Sequence, residues 1–550
     1  MRSAADATAN EDVAVPALID SWWCSMGWLW AGAGASSARI DELTGARIRS
    51  VMDSNTGQGL RGNWRLRLEG EGIITELSLD ARRSGKISSP TLVSRAGTRR
   101  KNAVLYSGLV PARGAGIPQN PPHWSRKAFM ELINRKELSN GLTVLTERMP
   151  NLRSISLGVW LKKGSRHESE SENGISHFIE HLLFKGTANR SGKEIALAID
   201  SIGGHIDAFT SKEYTCFYAK VLDEHLPVAL DLLSDIVLHP RFDPVEIEKE
   251  RKVIFEEIRM VDDTPDELVY DLFNEYLWPN HPLGRPIQGT VESVSGMTPE
   301  ILNRYFRESY HPGNLLITAT GNLDHEELVQ GIRRAFEPLT NGAAPPVTSP
   351  PRLNPGLVVR DKKELGQIHL CLGVKGFPLN HEHRFQEFVL NTLLGGAMSS
   401  RLFQDIREDR GLAYNVFSSV NSFRDTGYLM VYAATSPETA EQVVHLVLEE
   451  FAALKEKAPA EREMKMARDH LKGSLMLSLE SSSSRMSNLA RQEVYFQRPF
   501  TLNEILEGID RVTGEEVKHL AREMFDSSTC TMAVLGNTSK FNMTRNDLVF

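Results

Sequence analysis

The sequence predicts an α+β protein made of two homologous α/β domains in one chain, which arose by internal duplication. Strand-like and helix-like segments alternate through the body of the chain. Their order over residues 135–336 is repeated over residues 357–540, in two units of about 200 residues each. A Pro-rich linker over residues 337–356 separates the copies, and 550 residues are enough for two or three domains.

The first copy is predicted to begin with a hairpin around Asn140 and Gly141, since an Asn-Gly pair between apolar residues is a strong hairpin signal. Residues 154–161 then alternate as a strand does. The elements predicted after it are an apolar helix within residues 174–186 with Gly186 as C-cap, a helix over 193–202, strands over 206–210 and 214–220, helices over 224–237 and 244–261, and a buried strand over 314–322.

The second copy repeats this order without the same motifs. Its predicted elements are a strand over 366–373, helices over 382–394 and 400–410, strands over 416–420 and 427–434, a helix over 439–454 and a final strand over 530–537. The last strand ends at Gly536-Asn537, as the last strand of the first copy ends at Gly321-Asn322. The repetition favours a degenerate duplication.

Two histidines and a glutamate interrupt the apolar helix of the first copy. His177 and His181 are four residues apart, so their rings lie one turn apart on the same face, with Glu180 beside them. Two such imidazoles can bind one zinc ion, and the carboxylate can take a proton from the metal-bound water. A single buried histidine is more often a hydrogen-bonded core residue. Three ionisable groups on one apolar stripe are costly to bury unpaired, which favours a metal site.

A third zinc ligand is predicted on the helix over residues 244–261. Its inward stripe, by heptad-like spacing, is Ile247, Glu250, Ile254, Glu257 and Val261. Glu257 is the predicted ligand, and Glu250 is predicted to orient a ligand or hold the water. The alternative is a charged surface helix. His381 and His383 in the second copy lack a following Glu-His pair and are interpreted as loop residues.

Composition excludes several functions. A net charge of −8 and a pI of about 6.1 offer no basic field for nucleic acid, and no apolar run reaches membrane-spanning length. Cys24, Cys216, Cys371 and Cys530 form no Cys-x-x-Cys pair. We therefore expect free, mostly buried thiols in a reducing compartment.

Residues 1–129 differ from the rest of the chain. They hold six of the eight tryptophans and 14 arginines against 3 lysines, with poor hydrophobic periodicity. Acidic residues near the start argue against a secretion signal and a transit peptide. We expect this segment to be largely disordered or an over-extended reading frame, with Met130 as the natural start.

The motifs together resemble the M16 (pitrilysin/insulinase) metallopeptidases, in particular the short branch of the mitochondrial processing peptidase beta subunit and its bacterial relatives. The resemblance lies in His177-x-x-Glu180-His181 followed after 75 residues by Glu257. It extends over roughly residues 135–540. Further matching motifs lie at residues 184–187, 203–204, 208–211, 284–289, 399–403 and 407–414.

The resemblance implies two LuxS/MPP-like domains, one zinc ion per chain held by His177, His181 and Glu257, Glu180 as general base and Glu250 as supporting acid. It also implies a dimer enclosing a chamber, as a homodimer or with a related M16 subunit.

Arg407 and Tyr414 match a pair that reaches the substrate across the chamber, from the partner chain in a homodimer. The family often has Asn where this chain has Asp207 beside the substrate-pairing strand.

The expected function is that of a zinc metalloendopeptidase acting on unfolded peptides or presequence-like segments, in a bacterial-type cytoplasm or alternatively the mitochondrial matrix. A non-catalytic assembly subunit is the main alternative, but such a subunit is expected to lose ligands or the base. A peptide-binding protein with structural zinc would have four protein ligands, whereas three protein ligands and a base suit an open site.

Overall fold

The computed structural model describes residues 133–337, 339–340, 342 and 349–550, and four strands nearer the N-terminus. These strands are β1 (Arg47–Ser50), β2 (Trp64–Gly70), β3 (Ile73–Leu79) and β4 (Leu92–Ser94), which form one antiparallel sheet in that order. They belong to a compact unit over Trp28–His123, distinct from the rest of the chain. The remaining residues before 133 lie outside the described part, so the expectation for residues 1–129 stays a prediction.

The first half contains six strands and eight α-helices within the described residues. The strands are β5 (Ile133–Glu137), β6 (Thr143–Arg148), β7 (Ser154–Leu161), β8 (His205–Thr210), β9 (Thr215–Leu222) and β10 (Leu315–Gly321). The helices are α1 (Ile175–Leu183), α2 (Gly192–Asp200), α3 (Leu226–Leu238), α4 (Pro244–Asp263), α5 (Pro265–Leu277), α6 (Val291–Ser295), α7 (Pro299–Ser309) and α8 (His325–Phe336).

The second half contains five strands, one π-helical segment and six α-helices within the described residues. The strands are β11 (Gly356–Asp361), β12 (Ile368–Gly376), β13 (Ala413–Ser422), β14 (Gly427–Thr435) and β15 (Thr531–Gly536). The helices are α9 (Arg384–Leu394), α10 (Ala440–Glu456), α11 (Glu461–Ser478), α12 (Ser482–Phe496), α13 (Leu502–Asp510) and α14 (Gly514–Met524), and Phe403–Asp409 is π-helical.

The two halves have the same sheet topology, which confirms the predicted pair of homologous α/β domains. The first sheet has the order β5-β6-β10-β7-β9-β8, and the second has the order β11-β15-β12-β14-β13. In each sheet the first long strand pairs parallel with the last, and the other pairings are antiparallel. Apart from β5, the strands therefore correspond one to one.

The ends of β10 and β15 show the same correspondence at the level of single residues. Gly321 and Gly536 both have positive φ, at 135° and 142°. A Cβ atom there would lie 2.2 Å from the carbonyl oxygen of Ser154 and 2.5 Å from that of Gln367. Only glycine tolerates both the conformation and the close approach, which explains the repeated Gly-Asn pair.

Most predicted elements are found within a few residues of their predicted bounds, with two differences. The predicted helix over residues 400–410 is mainly a π-helical segment, Phe403–Asp409. The apolar helix α1 ends at Leu183 with Phe184 as its C-cap, so Gly186 lies beyond the cap, with φ at 140°. Among the described residues, no helix combines the length and apolar character needed to cross a membrane.

One helix from each domain packs against the sheet of the other domain. Helix α5, from the first half, packs its Phe273 and the following Trp278 against Tyr428 and Met430 of the second sheet. Helix α12, from the second half, packs against the first sheet in a cluster formed by Leu145, Trp160, Phe209, Tyr214, Cys216, Leu316, Met486 and Ala490. The opposite face of each sheet is covered by helices of its own half. The exchange makes the two domains one folding unit.

The exchanged helix α5 allows a direct test. Phe273 is fully buried and meets Tyr428 edge-to-face, with ring centroids 5.3 Å apart. We expect Phe273→Ala to lower the free energy of unfolding by about 3–5 kcal/mol, because it leaves a cavity in a packed core. Faster amide hydrogen exchange should appear in β12 and β14 of the second domain, although the substitution lies in the first half of the chain.

The control is Leu197→Ala on α2, where the leucine side chain is 55% exposed. That variant should stay within about 0.5 kcal/mol of the wild type. A Phe273→Ala variant whose faster exchange is confined to the first domain would contradict the helix exchange.

Candidate active site

Helix α1 carries the predicted zinc-binding pair and is held at its N-terminus by a buried glutamate. Glu168 accepts hydrogen bonds from the backbone N–H groups of Gly174 at 2.8 Å and Ser176 at 2.9 Å. Its carboxylate therefore caps donors that the helix leaves unpaired and lies at the positive end of the helix dipole. Gly174 has φ at 92°, and a Cβ atom there would lie 2.6 Å from the carbonyl oxygen of Gln288.

Three side chains converge as the sequence predicts. Nε2 of His177 lies 3.7 Å from one carboxylate oxygen of Glu257, and Nε2 of His181 lies 3.7 Å from the other. One ligand atom from each residue lies within 4.8 Å of the other two. Tetrahedral zinc bonds of about 2.0–2.2 Å place ligand atoms about 3.3 Å apart. The donor set and its spacing therefore fit a zinc ion with three protein ligands.

Burial keeps the first histidine in the form that binds metal. Burial, together with the nearby His181, lowers the pKa of His177 to about 3. A neutral imidazole has a free lone pair for a cation. Burial also raises the pKa of Glu257, against the opposing influence of His181.

Glu250 holds the second histidine from the side away from Glu257. It is buried on the inward stripe of α4, and its Oε2 lies 3.3 Å from Nδ1 of His181. Its Oε1 is 2.9 Å from Nζ of Lys185. A carboxylate on the second ring nitrogen fixes the tautomer and presents Nε2 to a metal. By contrast, Nδ1 of His177 is buried without a hydrogen-bond partner in the described part of the chain.

Glu180 lies on α1 between the two histidines and receives a short hydrogen bond. Oγ1 of Thr210, at the end of β8, donates to Oε2 of Glu180 at 2.6 Å. Burial, with the negative charges of Asp207 and Glu257, raises the pKa of Glu180 to about 7, although the Thr210 hydrogen bond and His181 oppose the rise. A carboxyl group with a pKa near neutrality can both accept and release a proton under ordinary conditions.

Arg407 and Tyr414 lie in the second domain, at the π-helical segment and the edge strand β13. The Arg407 guanidinium is stacked 4.8 Å from the Phe403 ring centroid and 5.5 Å from that of Tyr414. The Tyr414 side chain is 76% exposed. Within the described residues, no hydrogen bond, ion pair or ring contact joins either residue to His177, His181 or Glu257.

The fold and the site define the class of protein, a zinc protease with two homologous α/β domains. Within the described residues, the candidate metal ligands lie in the first domain. Sequence comparison agrees, because the family description "Insulinase (Peptidase family M16)" matches residues 143–291. A second description, "Peptidase M16 inactive domain", matches residues 296–471. The chain belongs to peptidase family M16 and is a zinc protease of that family.

Known proteins support this assignment. The chain is 42% identical over 394 residues to an uncharacterised zinc protease of Bacillus subtilis, YmxG, covering 72% of this chain and 96% of the relative. The fold also resembles a protease from Helicobacter pylori, with a TM-score of 0.69, 23% identity, and coverage of 74% and 99% of the two chains. A chain of complex III from Candida albicans gives a TM-score of 0.67 and 22% identity, over 76% and 100%.

Three supporting residues were not predicted from the sequence: Glu168, Lys185 and Thr210. Lys185 and Thr210 lie inside motifs on which the family resemblance rests. Their distance along the sequence from Glu250 and Glu180 gives no sign that these side chains are in contact. Glu168 precedes α1 by seven residues, outside the usual N-cap position. Each contact depends on tertiary structure, so no local pattern identifies it.

The ion pair between Lys185 and Glu250 yields a test of metal binding. We expect Lys185→Met to weaken zinc affinity about 10–100-fold, because it removes the anchor of the carboxylate that orients His181. Competition against a chromogenic zinc chelator measures this without reference to activity. Lys193→Met, at an exposed position on α2, is the matched control and should bind zinc as the wild type does. Equal affinity in the two variants would contradict the role of Lys185.

Proposed function

We propose that this protein is a zinc metalloendopeptidase that hydrolyses peptide bonds in unfolded peptides or presequence-like segments, with Glu180 as general base. The observation that carries the proposal is the convergence of His177, His181 and Glu257, with Glu180 on the same helix and no fourth ligand beside them among the described residues. Such a donor set leaves a coordination position for water or substrate. A purely structural zinc site would instead be closed by a fourth protein ligand.

His177, His181 and Glu257 would hold the zinc ion, and Glu250 would keep His181 in its ligating tautomer. When bound, the metal supplies Lewis-acid polarisation of the peptide carbonyl and lowers the pKa of a coordinated water to about 7. The protein's own contribution is to fix these side chains before substrate arrives. Two of them come from α1 and one from α4, and both helices pack in the same core.

Glu180 moves the proton. Its Oε2 accepts the hydroxyl of Thr210, which leaves Oε1 as the acceptor for the proton of the attacking water. The same carboxyl group then donates that proton to the leaving amine, as microscopic reversibility of general base catalysis allows. A pKa near neutrality suits both steps.

The edge strand β8 supports recognition of an extended peptide. It pairs only with β9 in the described sheet, so its outer backbone groups are open to another strand. A peptide that adds there gains main-chain hydrogen bonds without a sequence requirement. Asp207 on this strand offers a carboxylate oxygen 3.3 Å from the Tyr218 hydroxyl. Folded proteins usually shorten, charge or cover their edge strands, which favours unfolded substrates.

We propose a homodimer, or a pair with a related M16 subunit, in which Arg407 and Tyr414 of one chain complete the site of the other. The exposure of Tyr414, and the lack of a contact between it and the zinc ligands within the described residues, support this arrangement. In the assembled site the two side chains would donate hydrogen bonds to the charge that develops on the scissile carbonyl oxygen. The complex III relative shows that chains of this fold occur in larger assemblies.

A bacterial-type cytoplasm is the proposed compartment, with the mitochondrial matrix as the alternative. Cys371 and Cys530 are buried and form no disulfide within the described residues, as expected in a reducing compartment. The Bacillus relative, at 42% identity, supports the bacterial assignment. The main alternative function, a non-catalytic assembly subunit, is disfavoured because Glu180 and all three predicted ligands are present, and ligand atoms of His177, His181 and Glu257 lie within 4.8 Å of one another.

The proposed base is tested by Glu180→Gln. We expect the variant to retain one zinc ion per chain while kcat for a quenched-fluorescent peptide falls about 10²–10⁴-fold, because the amide accepts no proton. Zinc content is measured by atomic emission on the same samples. Glu256→Gln, on the exposed side of α4, is the matched control and should keep full activity. An active Glu180→Gln variant, or a zinc-loaded but inert wild type, would exclude the proposed reaction.

The shared active site is tested by mixing two inactive variants. Glu180→Gln and Tyr414→Phe chains are denatured together and refolded, so that dimers form at random. If Tyr414 acts on the partner's zinc site, each mixed dimer contains one intact site, and the mixture should recover about one quarter of wild-type activity. If both residues act within one chain, no site is intact and no activity returns. Wild-type protein that is denatured and refolded alone provides the control, because its activity measures the loss caused by refolding.

A further inference from the structure

A threonine hydroxyl joins the edge of the first sheet to the proposed base. Thr210 is the last residue of β8, and its Oγ1 donates to Oε2 of Glu180 at 2.6 Å. O–H···O⁻ bonds of this length are charge-assisted and stronger than bonds between neutral groups. The bond takes one carboxylate oxygen out of competition and leaves the other oxygen for the reaction.

The position of this hydroxyl is fixed by its surroundings. Thr210 pairs with Thr215 on β9, whose own hydroxyl donates to the carbonyl oxygen of Lys163 at 3.2 Å. The next residue, Ser211, accepts the backbone N–H of Ser165 at its carbonyl oxygen, at 3.0 Å. A Cβ atom at Gly164 would lie 2.2 Å from the same oxygen, so only glycine allows the approach. The end of β8 is thus locked against the loop that leads into α1.

We propose that Thr210 is a positioning residue for peptide hydrolysis, which holds Glu180 in the one orientation that presents Oε1 to the attacking water. The inference deepens the proposed function and rests on it, because Thr210 acts only through Glu180. A glutamate side chain has several rotamers, and restricting it to one costs conformational entropy. Here the cost is met in the folded protein, before substrate binds.

The location of Thr210 also links the base to the substrate. A peptide that pairs with β8 lies beside the strand whose last residue, Thr210, orients Glu180. The same strand therefore positions both the scissile bond and the base. Small errors in such geometry reduce the rate of the chemical step far more than they reduce binding. Loss of the hydroxyl should therefore change kcat and leave KM nearly unchanged.

The test compares full-length, zinc-loaded wild type with Thr210→Val and Thr210→Ser. Valine keeps the shape and the β-branch of threonine and removes only the hydrogen bond. We expect Thr210→Val to lower kcat about 10–100-fold with KM within about twofold, and Thr210→Ser to restore most of the rate. Zinc content should be the same in all three. Thr143→Val on β6, four strands away in the same sheet, controls for a lost strand hydroxyl.

Equal kcat in Thr210→Val and the wild type, or a change confined to KM, would overturn the proposal. If the valine variant does not fold, Thr210→Ala removes the hydroxyl without added bulk. Crystal structures of the zinc-loaded wild type and Thr210→Val provide a second measurement. We expect one Glu180 orientation in the wild type and a rotated or multiple one in the variant. Should the wild type cleave no peptide, the proposed function fails, while these orientations still decide the role of Thr210.

Discussion

The burial of ionisable side chains on one apolar helix is the constraint on which the rest of the structure depends. His177, Glu180 and His181 lie on α1 among residues that are almost fully buried. Unpaired, each would cost several kcal/mol. Most of them have a partner in the fold. Thr210 donates a hydrogen bond to Glu180, Glu250 contacts His181, and the Glu257 carboxylate faces both imidazoles. A zinc ion bound by His177, His181 and Glu257 would offset the remaining free-energy cost of burying these groups.

The second domain supports this site although it holds none of the ligands. Arg166, just before α1, pairs with Glu213 at 2.7 Å, and both side chains are 3% exposed. Arg166 also pairs with Asp425, and Glu213 accepts the Tyr495 hydroxyl at 2.7 Å, so two residues of the second half complete the network. Glu213 lies in the turn between β8 and β9. The loop into α1 and the turn after β8 are therefore both anchored on the other domain, which rules out treating the halves as independent modules.

Periodicity and spacing were sufficient to predict the duplicated fold and the convergence of His177, His181 and Glu257, because each depends on neighbours in sequence or on a helix face. The inward stripe of α4 placed Glu250 and Glu257 correctly for this reason. Helices α5 and α12 were not predicted, since their apolar faces match a sheet of the other half. The sequence placed Thr210 in a motif but did not predict its role, because its contact with Glu180 joins residues that are 30 positions apart. Contacts of that kind are decided by tertiary packing.

The second copy shows what the helix position becomes once the metal chemistry is absent. Helix α9 carries Glu387 and Asn391 at the same four-residue spacing, but both are buried in core packing. Asn391 accepts the Ser418 hydroxyl at 2.7 Å, and Glu387 accepts the backbone N–H of Phe377 as its one hydrogen bond from the described residues. Burial raises the pKa of Glu387 to about 8, so it stays protonated near neutral pH and needs no counter-charge. The first copy thus arranges its polar helix positions as a candidate cation site, whereas the second copy buries Glu387 with a raised pKa and holds Asn391 by a hydrogen bond.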